Sequence, residues 1–286
     1  MKLLTFRTED GLQLGIKTDK GVLQAPRTID QVLQGGPEAL AELTTYVRQA
    51  VEHVSDFVFL REEDLQFAPC VPNPQKIICV GLNYRKHAEE SNMPIPEYPI
   101  LFNKFNNALA AHGDEVLLPA QSQQVDYEAE LAIVIGKTAK RVPKEEALSY
   151  VFGYCAANDL SARDLQFRTN QWLLGKSCDG FSPLGPYLVT ADEVGNPNEL
   201  AIRSYVNGEL RQNSNTADMI FHCDELVSYI SRFMTLVPGD VILTGTPEGV
   251  IMGYPKEQQV WLKEGDEVTI EIEKLGCLTN RMKQEG

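Results

Sequence analysis

Glu128 and Glu130 stand two apart in the run Val125-Asp126-Tyr127-Glu128-Ala129-Glu130-Leu131-Ala132-Ile133-Val134-Ile135. The β-branched residues that end this run, closed by Gly136, predict a strand on which the two glutamates share a face with Ala132 and Val134. Carboxylates this close repel by about 2–3 kcal/mol at an effective dielectric of about 20. A hard cation held by oxygen ligands relieves that repulsion. The other reading is an edge strand with both acids in water.

Asp159 ends Phe152-Gly153-Tyr154-Cys155-Ala156-Ala157-Asn158-Asp159, a second predicted strand. It could complete a three-carboxylate site suited to Mg²⁺ or Mn²⁺, or cap the turn at Ser161-Ala162-Arg163. His87 and Glu90 lie three apart on a predicted short helix, hence on one face. A carboxylate there fixes the imidazole tautomer and raises its basicity, as a general base requires; the alternative is a solvated surface pair. Lys176, in Gly175-Lys176-Ser177, has small neighbours that would admit a ligand, and is otherwise an ordinary exposed lysine. The segment lacks the upstream glycine of a phosphate-binding loop. Thr244-Gly245-Thr246-Pro247 could offer hydroxyls and N–H groups to an anion, or be a strand-end turn.

The elements that must position these residues are mostly short strands. Lys2–Arg7, Leu12–Lys17 and Val22–Gln24 read as strands around Asp10-Gly11 and Lys20-Gly21. A short helix at Ile29–Leu33 stops at Gly35-Gly36, and Pro37 opens a longer one. Pro69, Pro72 and Pro74 make a stiff linker. It divides a small N-terminal α/β domain, residues 1–68, from a larger catalytic one, residues 75–286. Beyond it come strands at Lys76–Gly81, Ile100–Phe105, Glu115–Leu118, Asp266–Glu273 and Trp261–Lys263, and an Asn207-Gly208 hairpin. Helices are read at Pro143–Tyr150 and Glu225–Leu236. Many short strands with few helices make the fold class α+β, rich in β.

Composition removes several functions. The formal net charge of −14 argues against nucleic acid, whose phosphates need clustered Lys and Arg. No apolar run approaches the ~20 residues of a membrane span, and the opening apolar run is too short for a secretory signal, so the expected location is the cytoplasm. The six cysteines form no CxxC and the four histidines no HExxH, which reads as reduced thiols and no zinc.

Taken in order, Gly81–Glu90, Glu128-x-Glu130, Asn158-Asp159-x-Ser161-Ala162-Arg163-Asp164-x-Gln166, Gly175-Lys176-Ser177 and Thr244-Gly245-Thr246-Pro247 resemble the fumarylacetoacetate hydrolase family. No one segment is specific; five in the family's order are. The resemblance spans about residue 76 to about 275. It implies a mixed β-roll or sandwich, a divalent-metal site and a homodimer. It implies Glu128, Glu130 and Asp159 as metal ligands, His87 with Glu90 as the water-activating pair, and Lys176, Arg163, Gln166 and Thr246 as substrate contacts. The enzyme that names the family carries a further acid before its histidine, whereas Lys76–Lys86 has none. The chain is similar instead to the smaller bacterial acylpyruvate hydrolase, decarboxylase and isomerase branch.

The function expected first is therefore Mg²⁺- or Mn²⁺-dependent hydrolysis of a C–C bond in a β-diketo acid, such as an acylpyruvate, through a metal-held enolate. The alternative on the same residues needs no attacking water: oxaloacetate decarboxylation, keto–enol tautomerisation or hydroxymuconate-type isomerisation. A non-catalytic metal-binding dimer is the alternative of another class. Either chemistry implies a small keto-acid substrate and a segment, Tyr84–Pro99, that closes over the metal.

Overall fold

A computed structural model of the chain describes all 286 residues. A twelve-stranded mixed sheet runs in the order Phe59–Leu60, Gly21–Gln24, Gly11–Thr18, Lys2–Thr8, Ser182–Thr190, Val151–Asn158, Ala129–Ile135, Val241–Leu243, Ile77–Gly81, Ile100–Lys104, with two short strands off this path. A second sheet of five strands faces it, ordered Glu209–Asn215, Ala201–Val206, Glu267–Ile272, Gly276–Gln284, Glu115–Leu118. This is the sheet-rich α+β architecture expected.

Both faces of the large sheet are buried, and the strand Ala129–Ile135 shows why. Leu131, Ile133 and Ile135 pack into the core shared with Ile202, Ile270 and Leu278 of the second sheet. Ala132 and Val134 point the other way, into a core with Leu14, Ile16, Val32 and Leu33. Each such aliphatic side chain contributes about 1.5–3 kcal/mol when fully buried. Helix Ile29–Glu52 covers that second face; Thr28 and Gln31 form its capping box. The helix stop expected at Gly35-Gly36 is a kink at Gly36 (φ 60°), with helix on both sides.

The segments on either side of the proline linker share one sheet. Leu3 pairs with Leu188, so Lys2–Thr8 is an interior strand between Gly11–Thr18 and Ser182–Thr190. Ser182–Thr190, nine residues long, is absent from the sequence reading because Pro183, Gly185 and Pro186 interrupt its pattern. Two other expectations change. Trp261–Lys263 is not a strand, and residues 144–150 form a 3₁₀ helix rather than an α-helix.

Candidate active site

The two central strands bring the acids together. Ala129–Ile135 runs antiparallel to Val151–Asn158, with Ala129 opposite Asn158 and Glu130 opposite Ala157. Asp159, one step past its strand, donates its backbone N–H to the Glu128 carbonyl at 3.0 Å. Strand pairing lapses at Tyr127 and Glu128, between Val125–Asp126 and Ala129–Ile135. Side chains replace the ladder there: Asn158 Oδ1 accepts from Glu128 N and Gln212 Oε1 from Ala129 N, each at 3.0 Å. One oxygen each of Glu128, Glu130 and Asp159 fall within 4.8 Å of one another.

All three acids are buried, but their surroundings differ. Lys176 bridges Glu128 Oε2 (2.7 Å) and Asp159 Oδ2 (3.0 Å), while Arg163 Nη2 stands 2.7 Å from Glu128 Oε1. Burial alone would raise the Glu128 carboxyl; Lys176 and then Arg163 hold it below the usual range. Lys104, fully buried, takes the other Asp159 oxygen and donates to the Leu160 and Phe181 carbonyls at 3.1 and 2.6 Å. Glu130 has no basic partner among these ion pairs and accepts from the Gly245 N–H at 2.8 Å. Burial, then Asp159 and Glu128, push its carboxyl well above the usual range. An oxygen-only donor set with one uncompensated buried carboxylate fits a hard divalent cation.

A cavity of about 710 Å³ opens onto Glu128 and Glu130, and its lining also includes His87, Glu90, Arg163, Gln166, Lys176 and Thr246. Asp159 lies behind this lining, paired with Lys104 and Lys176. His87 Nδ1 and Glu90 Oε1 are 2.8 Å apart on helix Arg85–Glu90. Gln166 Oε1 accepts from Arg163 at 3.0 Å and Thr246 Oγ1 from Gln212 at 2.8 Å. The Gln166 amide and the Thr246 hydroxyl therefore keep protons to donate. Eight of the nine residues singled out from the sequence line this cavity, and the ninth, Asp159, stands behind it.

Sequence reasoning missed Lys104 and Asp126. Asp126 is fully buried two residues before Glu128, where its parity with the glutamates was the available signal. Nothing in Asn103-Lys104-Phe105 marks Lys104 as interior. The segment expected to close over the site, Tyr84–Pro99, begins on residues packed into the fold. Asn83 binds the Phe221 and Thr244 carbonyls (3.0 and 2.7 Å) and Tyr84 is fully buried, so residues 83–90 form a wall. Beyond it Met93 lines the cavity, and Ile95 and Tyr98 are exposed.

Known proteins resemble the chain in both sequence and fold. Residues 76–283 match the family described as fumarylacetoacetate hydrolase C-terminal. The chain is 44% identical over 295 residues to the Homo sapiens protein named oxaloacetate tautomerase FAHD2A, mitochondrial, covering 99% of this chain and 91% of that one. It is 46% identical over 259 residues to FAHD2B of Bos taurus, named in the same way, covering 90% and 80%. Among solved structures, 5-carboxymethyl-2-hydroxymuconate delta-isomerase from Mycobacterium smegmatis matches with a TM-score of 0.78 at 34% identity. Fumarylacetoacetate hydrolase from Exiguobacterium antarcticum matches with a TM-score of 0.82 at 32% identity; both comparisons cover 100% of each chain. The mitochondrial names of these relatives overturn the expectation of a cytoplasmic protein. Matching folds, a family match over most of the length and relatives above 40% identity identify the chain as a member of the fumarylacetoacetate hydrolase family of enzymes.

Proposed function

We infer that the protein is a divalent-metal-dependent tautomerase of oxaloacetate or a closely related 2-keto diacid. The observation that carries this reading is the His87–Glu90 pair bordering the same cavity as the acidic cluster, in a chain whose curated relatives are named oxaloacetate tautomerases. Hydrolysis, expected first, finds less support, because the relatives most alike in sequence are named tautomerases.

Glu128, Glu130 and Asp159 would hold Mg²⁺ or Mn²⁺. When bound, such a cation supplies Lewis acidity toward the keto oxygen and its neighbouring carboxylate. Tautomerisation moves one proton between C3 and the C2 oxygen and consumes nothing. With Nδ1–H donated to Glu90, His87 keeps Nε2 as its acceptor, the atom that would take the C3 proton. Glu90 then faces an imidazolium and stabilises it. The Gln166 amide and Thr246 hydroxyl donate toward a substrate carboxylate, and Lys176 supplies positive charge where the enol oxygen becomes negative. Arg163 holds Glu128 in place.

Residues 75–286 would form the catalytic unit, with 1–68 completing its sheet, and the assembly would be a homodimer. Light scattering giving the 31.9 kDa of one chain would exclude the dimer. The function is tested by following the ultraviolet absorbance of enol-oxaloacetate with Mg²⁺ or Mn²⁺ while measuring pyruvate. Loss of enol without pyruvate supports tautomerisation. Stoichiometric pyruvate makes the enzyme a decarboxylase, and no catalysis of either removes the reading. A cavity of about 710 Å³ is roomy for a four-carbon acid, which favours longer hydroxymuconate-type diacids as a second substrate set for the same proton transfer.

A further inference from the structure

Asp126 touches neither the cavity nor the triad, yet its carboxylate is the most heavily used in this part of the molecule. Its Oδ1 accepts from Ile251 N at 2.8 Å, and its Oδ2 from Met252 N at 3.0 Å and Arg163 Nε at 2.9 Å. Arg163 Nη2 is 2.8 Å from the same Oδ2 and 2.7 Å from Glu128 Oε1, so one guanidinium joins Asp126 to the triad. On the other side the turn Ile251–Gly253 follows Gly249, whose N–H reaches both Glu90 oxygens at 3.0 and 3.2 Å. Gly253 packs so closely that a Cβ there would fall 2.6 Å from the Glu90 carboxyl. A continuous chain of hydrogen bonds and contacts thus runs from Glu128 through Arg163, Asp126 and the 249–253 loop to Glu90 and His87.

We propose that Asp126 is a positioning residue that sets the His87–Glu90 pair against the acidic triad, by anchoring at once the guanidinium that holds Glu128 and the loop that holds Glu90. The proposal rests on the reading that these two groups act together on one substrate. Buried, multiply bonded carboxylates of this kind hold geometry because both oxygens are saturated and the low local dielectric strengthens each bond. A second tie, from Tyr127 OH to the Gly249 carbonyl at 2.9 Å, holds the loop without reaching Arg163 and so probes the loop arm alone.

Asp126→Asn keeps a carbonyl oxygen for the loop but turns an NH₂ toward the guanidinium, donor against donor. The test uses metal-free full-length protein and two readouts that need no substrate: the ¹⁵N resonances of the His87 ring, and hydrogen exchange of residues 249–253. Asp126→Asn is expected to accelerate exchange in that loop at least about tenfold and to shift the His87 ring away from the wild-type tautomer pattern, in the direction expected of Glu90→Gln. Tyr127→Phe frees the same Gly249 that holds Glu90, so it is expected to accelerate loop exchange and to shift the His87 pattern in the same direction as Asp126→Asn. A wild-type His87 pattern in Asp126→Asn would make Asp126 a structural residue only and overturn the proposal. Should Asp126→Asn fail to fold, Arg163→Gln leaves Asp126 in place and cuts its arm to Glu128. Unchanged exchange at 249–253 in that variant would equally overturn it. A wild-type enzyme inactive on oxaloacetate would remove the proposed function and leave this result standing.

Discussion

His87 Nδ1 and Glu90 Oε1 lie 2.8 Å apart, and the N–H of Gly249 holds the same carboxylate from another side. The imidazole is thereby oriented by a group that is itself fixed to a second element of the fold. Glu90→Gln removes the charge from this arrangement and keeps its shape. Turnover should fall roughly tenfold, a fraction of the 10²–10⁴ worth of a positioned base. Gly253→Ala should lower turnover similarly, because its Cβ would fall 2.6 Å from the Glu90 carboxyl. Steady-state kinetics that leave Gly253→Ala at the wild-type rate would show that Glu90 has room to shift without consequence.

Metal dependence follows from the acids. EDTA should abolish activity, and Mg²⁺ or Mn²⁺ should restore it, since oxygen-only sites hold exchangeable hard cations. Glu130→Gln should weaken the metal at least about tenfold, or 1.4 kcal/mol, by calorimetry. The same change removes a buried carboxylate that has no basic partner, so the metal-free variant should be no less stable than wild type. In wild type, saturating Mg²⁺ should raise the melting temperature; in Glu130→Gln that response should shrink.

Lys104 is the buried counter-charge of Asp159. Lys104→Met leaves Asp159 with Lys176 alone and empties two carbonyls of their donor. Breaking a buried pair from one side costs about 3–5 kcal/mol. Urea denaturation of the metal-free protein should show a loss of that order. A midpoint within error of wild type would mean that Lys104 is not the main support of Asp159.

Removing residues 1–68 would strip Lys2–Thr8 from the Ser182–Thr190 strand and uncover Leu184 and Leu188. An unpaired edge beside bare core favours aggregation. Residues 75–286 expressed alone should be insoluble, and a monodisperse, metal-binding fragment would contradict the shared sheet's importance.

Short-range rules suggested parts of the site and left each with an alternative, and the family resemblance selected among them. Two-residue spacing put Glu128 and Glu130 together, three-residue helical spacing joined His87 to Glu90, and a strand end held Asp159. The Asn207-Gly208 turn also came out as read, with positive φ at both residues (52° and 79°). What stayed hidden depends on long-range pairing. Lys104 and Asp159 are 55 residues apart, and lysine carries no sign that it will be buried. Asp126 shows its role only once residues 251 and 252 fold back over it, 125 positions later. The joining of Lys2–Thr8 to Ser182–Thr190 was masked by two prolines and a glycine in the latter strand. The choice between hydrolysis and tautomerisation was illegible for a different reason: both use the same acids and the same base.

The central claim is that His87, aligned by Glu90 beside the acidic triad, moves the C3 proton of a 2-keto diacid. Proton NMR of oxaloacetate in D₂O with Mg²⁺ tests it directly, by following deuterium entry at C3 catalysed by wild type and by His87→Ala. Wild type should catalyse the exchange, and His87→Ala should be slower by about 10²–10⁴-fold, with its metal affinity unchanged by calorimetry. Wild-type exchange rates in His87→Ala would contradict the claim.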